Sequence, residues 1–325
     1  MAPVAVEPVV PAVLNGKVGD PAARVDSFDA SSTNAQELSS SMKRNGVVYV
    51  RNLISKDDMD TVVQEMRPHL DDDTPWDGVC FPPQTKRLCG IVSKSETFRK
   101  KVVMNPLWLA LSDETLSITS SAWFGDIKAE SVSRPVLGGT VCFRVCPGAT
   151  AQGLHRDSMA HHLKNPRITA DKYTFEREVS ISMFLAGTKT TKENGATRFC
   201  PGSHLEANEE KPNEENALYA EMEPGDALIM FSSVYHAGSA NMSQDEERLV
   251  FATFMNRGIL RTGENQYLTI PTEQAAKWSD EELTVCGYAQ SQPFLGFVEF
   301  MDPMAAIRGD KGGKRYDITD QKVIT

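Results

Sequence analysis

His155 and Asp157, two residues apart in GLHRDS, and His236, 79 residues after Asp157 in VYHAGS, constrain most strongly how this chain can fold. Side chains at i and i+2 of an extended segment point to the same side. A third donor so far along the chain joins them only if a distant strand folds alongside. Two imidazoles and one carboxylate together suit ferrous iron, and three protein ligands leave the opposite octahedral positions open to a bidentate co-substrate and O2. H-x-D alone arises often by chance, so its surroundings decide its meaning.

The first such surrounding is Arg248, 12 residues after His236 in SQDEERLVFATF. A basic side chain on the strand after the distal histidine can reach back to the far carboxylate of a 2-oxo acid bound at the metal. Arginine does this better than lysine because its planar fork pairs with a carboxylate bidentately. Asp245, Glu246 and Glu247 precede it, so a surface arginine in a charged loop is the alternative. Apolar alternation begins directly after Arg248 and favours a strand.

The order of elements is helical first and then β. Residues 35–45 read as a helix ended by Gly46, and 47–54 as a strand. Ser55 opens a capping signature ahead of the apolar stripe Met59, Val62, Val63 and Met66. Residues 71–90 read as loop, and 105–123 as a helix. Strands follow over 139–148, 177–186, 227–233 and 248–256, each bounded by turn residues. Asn194-Gly195 and Pro224-Gly225-Asp226 are strong turn signals. Helices followed by runs of short strands predict a mainly β chain with flanking helices, built on a jelly-roll core. The chain divides into an arm over 1–30, a single domain over 31–305 and a polar tail over 306–325.

With 325 residues and 40% apolar content, the chain can bury a large core. Its net charge of −10 argues against nucleic acid or an anionic membrane as partner. No apolar run is long enough to cross a bilayer and no secretory pattern opens the sequence. Six cysteines, at 80, 89, 142, 146, 200 and 286, are ordinary for this length; Cys142 and Cys146 sit four apart without the histidine partners of a zinc site and fit buried thiols in a reducing, cytoplasmic setting.

Five blocks in order, QGLHRDS (152–158), ENGATRFCPGSH (193–204), MEPGDALIM (222–230), VYHAGSAN (234–241) and RLVFATF (248–254), resemble the phytanoyl-CoA dioxygenase family of Fe(II)/2-oxoglutarate oxygenases. The similarity is greatest to its fungal natural-product members of the meroterpenoid and fumitremorgin type, and covers about residues 40–300. It implies a double-stranded β-helix of the cupin-like kind, Fe(II) on His155, Asp157 and His236, 2-oxoglutarate and O2 as co-substrates, and release of succinate and CO2. It further implies that Gln152 and Thr197 contact 2-oxoglutarate, that Arg87 is a second anchor, and that the chain is a homodimer acting on a small hydrophobic, polycyclic metabolite. Loop solvation for Gln152 and strand packing for Thr197 are the competing readings. Hydroxylation is the default outcome, and the triad does not choose among desaturation, epoxidation, ring rearrangement and endoperoxidation.

Loops 71–86, 158–176 and 203–220 are the expected walls and lid. Met183, Phe143 and Phe231 read as core packing. His204 reads as a hydrogen bonder that ties down a loop, and His161 and His162 lie too close to the metal pair to be further ligands. Two other classes remain open: a non-catalytic dioxygenase-like partner subunit, and a cupin-type metal-binding module using zinc or nickel, which would have no reason to keep Arg248.

Overall fold

Period-two alternation builds the frame of the molecule. The computed structural model describes residues 25–71, 81–310, 315–317 and 320–324. Its strands are β1 (Ser27–Asp29), β2 (Val47–Arg51), β3 (Thr85–Cys89), β4 (Ile118–Phe124), β5 (Ile127–Ser133), β6 (Val136–Val145), β7 (Ser180–Ala186), β8 (Arg198–Phe199), β9 (Leu218–Tyr219), β10 (Ala227–Phe231), β11 (His236–Ala237), β12 (Arg248–Asn256) and β13 (Lys322–Val323). Seven of them form one sheet in the order β1-β2-β10-β7-β12-β6-β3, antiparallel except for β1 with β2. A smaller sheet, β11-β8-β9, carries the distal histidine, and β13-β5-β4 forms a third. The large and small sheets make the double-stranded β-helix core expected from the strand pattern.

Register decides what each face of the large sheet meets. Residues paired across antiparallel strands share a face. Val250 pairs with Phe143, Arg248 with Val145 and Ala252 with Phe184, and this face looks into a cavity. Ile229 pairs with both Met183 and Val48 on the opposite face, and these residues belong to the same core cluster as the helices. Because both faces are covered, β7 and β10 are buried along their whole length. Met183 and Phe231 are packing residues, as expected, whereas Phe143 turns out to line the cavity.

Helix α1 (Ala35–Asn45) begins where Asn34 accepts from the backbone of Gln36 and Glu37, and buries Leu38 and Met42. It ends at Gly46, whose φ of 75° is a left-handed cap. A β-carbon there would lie 2.6 Å from His204 Nδ1, so both conformation and space require glycine. Helix α2 (Lys56–Asp71) starts with Ser55 Oγ accepting from Asp58 N and buries Met59, Val62, Met66 and Leu70. The short α3 (Ile91–Lys94) precedes α4 (Pro106–Leu116), which packs on α1.

Four expectations change. The helix predicted over 105–123 stops at Leu116, and its second half is β4, paired with β5 through Gly125 and Asp126. Ile-Thr-Ser-Ser-Ala-Trp-Phe is rich in β-branched, hydroxyl and aromatic residues that favour a strand, and Gly125 with φ of 61° supplies the tight hairpin turn. The loop-rich stretch 71–90 contains β3 at the sheet edge, where Lys86 and Arg87 are tolerated and mask the strand pattern; residues 72–80 lie outside the described residues. The polar tail contributes β13, docked on Ala129 and Glu130 of β5, and residues 303–307 form a short helix. At the other end β1 falls within the predicted arm, of which residues 1–24 lie outside the described residues.

His204 is buried and donates from Nε2 to Lys43 O at the end of α1. Burial pushes its pKa down to about 4, with Nδ1 left as a bare acceptor. The folded ring therefore stays neutral while the unfolded one protonates below about pH 6.5. A depressed base contributes stability at neutral pH that is lost as pH falls from about 6.5 toward 4. His204→Gln should show a shallower fall in Tm between pH 7 and pH 4.5 than the wild type, measured by thermal unfolding at matched ionic strength; parallel curves would show that His204 does not titrate this way.

Candidate metal centre

His155 lies on the segment that enters from β6, and His236 opens β11. The two meet through a reciprocal pair of backbone hydrogen bonds, His155 N to His236 O at 3.0 Å and His236 N to His155 O at 2.9 Å. This bridge extends the small sheet by one residue and aligns the two rings, whose centroids are 4.7 Å apart. Asp157 follows at the start of a 3-10 turn, anchored by Ser158 N donating to Ser232 O. The three donor atoms lie within 4.8 Å of one another.

Each histidine has its tautomer fixed by a carbonyl two residues back. His155 Nδ1 donates to Gly153 O at 3.0 Å and His236 Nδ1 to Val234 O at 3.1 Å. A carbonyl only accepts, so Nδ1 carries the proton and Nε2 offers its lone pair. Both Nε2 atoms face Asp157, at 3.8 Å from Oδ1 and 3.5 Å from Oδ2. Burial lowers the pKa of His236, against the raising influence of Asp157, and so disfavours a charged imidazole at that position. Asp157 Oδ2 is buried with no hydrogen-bond donor. An orphaned carboxylate oxygen beside two inward lone pairs is a ligand set for a divalent cation, and its imidazole and carboxylate donors fit iron.

The three residues line a cavity of about 140 Å³. Its apolar wall is Phe81, Phe143, Val145, Phe184, Val250 and Phe254, and its polar wall includes Thr85, Thr150, Gln152, Thr197, Ser239 and Arg248. Arg248 is the first residue of β12, 3% exposed, and donates from Nη1 to Thr197 Oγ1 at 3.2 Å. Its Nε has no acceptor. Burial pushes its pKa down to about 10, so it remains a cation at neutral pH. A buried guanidinium without a carboxylate costs several kcal/mol. An anion entering the cavity would supply the missing partner.

The sequence-predicted residues fall into two groups. His155, Asp157, His236, Arg248, Thr197 and Gln152 all border the cavity. Gln152 braces the centre: its Oε1 accepts from Gly238 N at 3.0 Å, and its backbone N donates to Gly238 O. Arg87 shares the cavity face of the sheet, in register with Phe143, but its guanidinium stacks 5.0 Å from the Phe81 ring, and Phe81 forms the wall there. Of the expected walls, 71–86 contributes Phe81, Pro82 and Thr85, while no lining residue comes from 158–176 or 203–220. His161 instead bonds Arg261 O from the turn that follows Asp157. Sequence reasoning passed over Thr85, Thr150 and Ser239. Ser239 has a buried hydroxyl without a partner, and its only signal was its place three residues after His236.

A jelly-roll core with two histidines, one carboxylate and a buried arginine across the same cavity defines a class, the non-haem iron and 2-oxoglutarate-dependent dioxygenases. Residues 42–250 match the family model for phytanoyl-CoA dioxygenase (PhyH), and the chain belongs to that family. It is 37% identical to the dioxygenase peniF of Penicillium patulum over 274 residues, covering 84% of this chain and 89% of that protein. It is 36% identical to the dioxygenase cnsJ of Penicillium expansum over 277 residues, covering 84% and 82%. Among solved structures, the epimerase SnoN in complex with Fe3+, alpha ketoglutarate and nogalamycin RO shares the fold with a TM-score of 0.51 at 17% identity, covering 72% of this chain and 88% of that one. The carbocyclase SnoK from nogalamycin biosynthesis gives 0.50 at 15% identity, covering 71% and 94%.

The isolated charge of Arg248 yields an expectation that separates binding from folding. Arg248→Met should leave the ligand-free protein at least as heat-stable as the wild type, because it removes an unpaired buried charge. The same variant should lose 2-oxoglutarate binding by at least about tenfold, as expected for a charge-assisted carboxylate contact. Calorimetric titration with thermal unfolding checks both, and unchanged affinity would place the carboxylate anchor elsewhere.

Proposed function

We propose that the chain oxidises a C–H bond of a small hydrophobic secondary metabolite, with Fe(II) held by His155, Asp157 and His236 and the distal carboxylate of 2-oxoglutarate held by Arg248 and Thr197. The observation that carries this reading is the buried, carboxylate-free Arg248 facing the same cavity as the three converging ligand atoms. Iron with a 2-oxo acid and O2 supplies C–H oxidation coupled to oxidative decarboxylation, giving succinate and CO2.

The protein's part is placement and exclusion. Fixed tautomers present His155 and His236 as neutral donors, and Asp157 contributes the negative charge. Thr197 orients the Arg248 fork, and Gln152 holds the His155 segment against Gly238. Phe81, Phe143, Phe184 and Phe254 give the substrate an apolar wall that keeps water from the reacting centre. Arg248 is the one arginine or lysine among the described lining residues. This disfavours a CoA thioester, whose phosphates would call for more basic side chains. SnoN, of the same fold, holds a metal, a 2-oxo acid and a metabolite together, which supports a cavity shared in this way. Hydroxylation is the proposed outcome, within a single domain over residues 31–305.

The finer points of the reading are a homodimer and a cytoplasmic setting. β4 is a sheet edge of seven uncharged residues, with Trp123 and Phe124 about two-thirds exposed, and such edges invite pairing. The thiols of Cys142, Cys200 and Cys286 are buried and free, in keeping with a reducing compartment. No helix among the described residues is long and apolar enough to cross a membrane.

Two experiments test these statements. Anaerobic titration with Fe(II) and then 2-oxoglutarate should develop the weak visible charge-transfer band of the chelate, and Asp157→Ala should abolish it. A fully folded wild-type protein without the band would favour the non-catalytic partner-subunit reading. Light scattering at micromolar concentration should give a dimer mass that Ser121→Lys, a charge placed on the free edge, converts to monomer; a monomeric wild type ends the dimer reading.

A further inference from the structure

Arg156 stands between two of the three ligand residues, and alternation turns its side chain away from the cavity. It is 6% exposed, and its guanidinium carbon lies 3.9 Å from the ring centroid of Tyr235, the residue just before the third ligand. The fork is also fixed from outside: Nη2 donates to Ser203 O at 2.6 Å and Nη1 to Ala207 O at 3.0 Å. Tyr235 is held by the same segment. Its backbone N donates to Ser203 Oγ at 2.9 Å, its carbonyl accepts from Cys200 N at 2.8 Å, and its hydroxyl donates to Glu210 O at 2.6 Å.

We propose that Arg156 and Tyr235 form a cation–π clamp behind the metal centre, and that Arg156 is a positioning residue setting the angle between the H-x-D segment and the distal histidine. The inference rests on the metal assignment of His155, Asp157 and His236. Backbone bonds join the two segments on the cavity side, His155 with His236, Gln152 with Gly238 and Ser158 N with Ser232 O. The clamp adds a side-chain connection on the opposite side of the chain, one residue from every ligand, and so fixes the angle that the main-chain bonds alone leave to side-chain packing. A planar guanidinium over a ring resists both sliding and twisting, which an ammonium on a flexible stem does not. Segment 203–210 then has a role other than lid: its carbonyls hold the arginine and tyrosine in contact.

The test measures Fe(II) affinity directly, by anaerobic titration of Fe(II) alone into protein stripped of metal, with the Tm of the stripped protein recorded beside it. Arg156→Met and Tyr235→Leu should each weaken Fe(II) binding by about 10- to 100-fold, the range for groups that orient metal ligands. The double variant should be no weaker than the worse single by more than about threefold, because the two residues act as one unit. Tyr235→Phe, which keeps the ring and loses the bond to Glu210, should stay within about threefold of wild type. Arg156→Lys keeps the charge and serves where Arg156→Met does not fold; it should still weaken Fe(II) binding by about tenfold, having lost the planar fork. Unchanged affinity in Arg156→Lys or Tyr235→Leu, with or without a drop in Tm, overturns the clamp and leaves the pair a structural contact. Additive losses, or a loss in Tyr235→Phe equal to that in Tyr235→Leu, overturn it as well. Wild-type protein that takes up no Fe(II) overturns the metal assignment, and the clamp with it.

Discussion

Two backbone hydrogen bonds between His155 and His236 hold the site together. With the Gln152–Gly238 and Ser158–Ser232 bonds on either side, they join the two ligand-bearing segments, and they place residues 81 positions apart side by side. Everything in the large sheet contributes to where that meeting occurs. Antiparallel register aligns Arg248, Val250, Phe143 and Phe184 on the inner face, so one cavity is lined by the candidate metal ligands and the proposed anion anchor together. The outer face, packed on α1 and α2, makes that register costly to slip, since a one-residue shift would bury Arg248 against the helices and expose Val250's neighbours to the cavity.

Electrostatics within the cavity are unbalanced by design of the fold. Nδ1–H groups are spent on backbone carbonyls, so both Nε2 atoms arrive preoriented toward Asp157. Asp157 brings a carboxylate oxygen with no donor, and Arg248 a guanidinium with no acid. In the proposed reading the two charges, which line the same cavity, serve different partners, one a cation and the other an anion. This separation distinguishes the site from a structural ion pair, in which the two groups would neutralise each other.

Much of this was legible in the sequence because the information was local. The H-x-D spacing, the strand signal after Arg248, and the Gly46 and Ser55 caps each rest on a few adjacent residues, and each matches its element in the fold. Errors arose where two local signals competed. After Leu116 a helical pattern runs into a β-branched and aromatic stretch, and only the partner β5 resolves it as a strand. Lys86 and Arg87 disguised β3 because an edge strand tolerates charges that a central one does not. Phe143 could not be separated from Met183 by composition, since inner and outer faces of a doubly covered sheet are equally apolar. Thr85, Thr150 and Ser239 were illegible for a different reason: a small hydroxyl acquires meaning only from what the fold sets opposite it.

The unpaired guanidinium of Arg248 has a consequence for the protein as a population of molecules. In the proposed reading a docking dicarboxylate offsets the cost of burying Arg248, and a ligand that binds only the folded state raises stability with the logarithm of its concentration. Folding and co-substrate supply are thus thermodynamically linked. A chain that binds its co-substrate in this proposed way is most persistent when that metabolite is abundant, and unfolds more readily when the pool is drained. On the proposed role, the charge that orients a reactant also ties the protein's persistence to the concentration of that reactant.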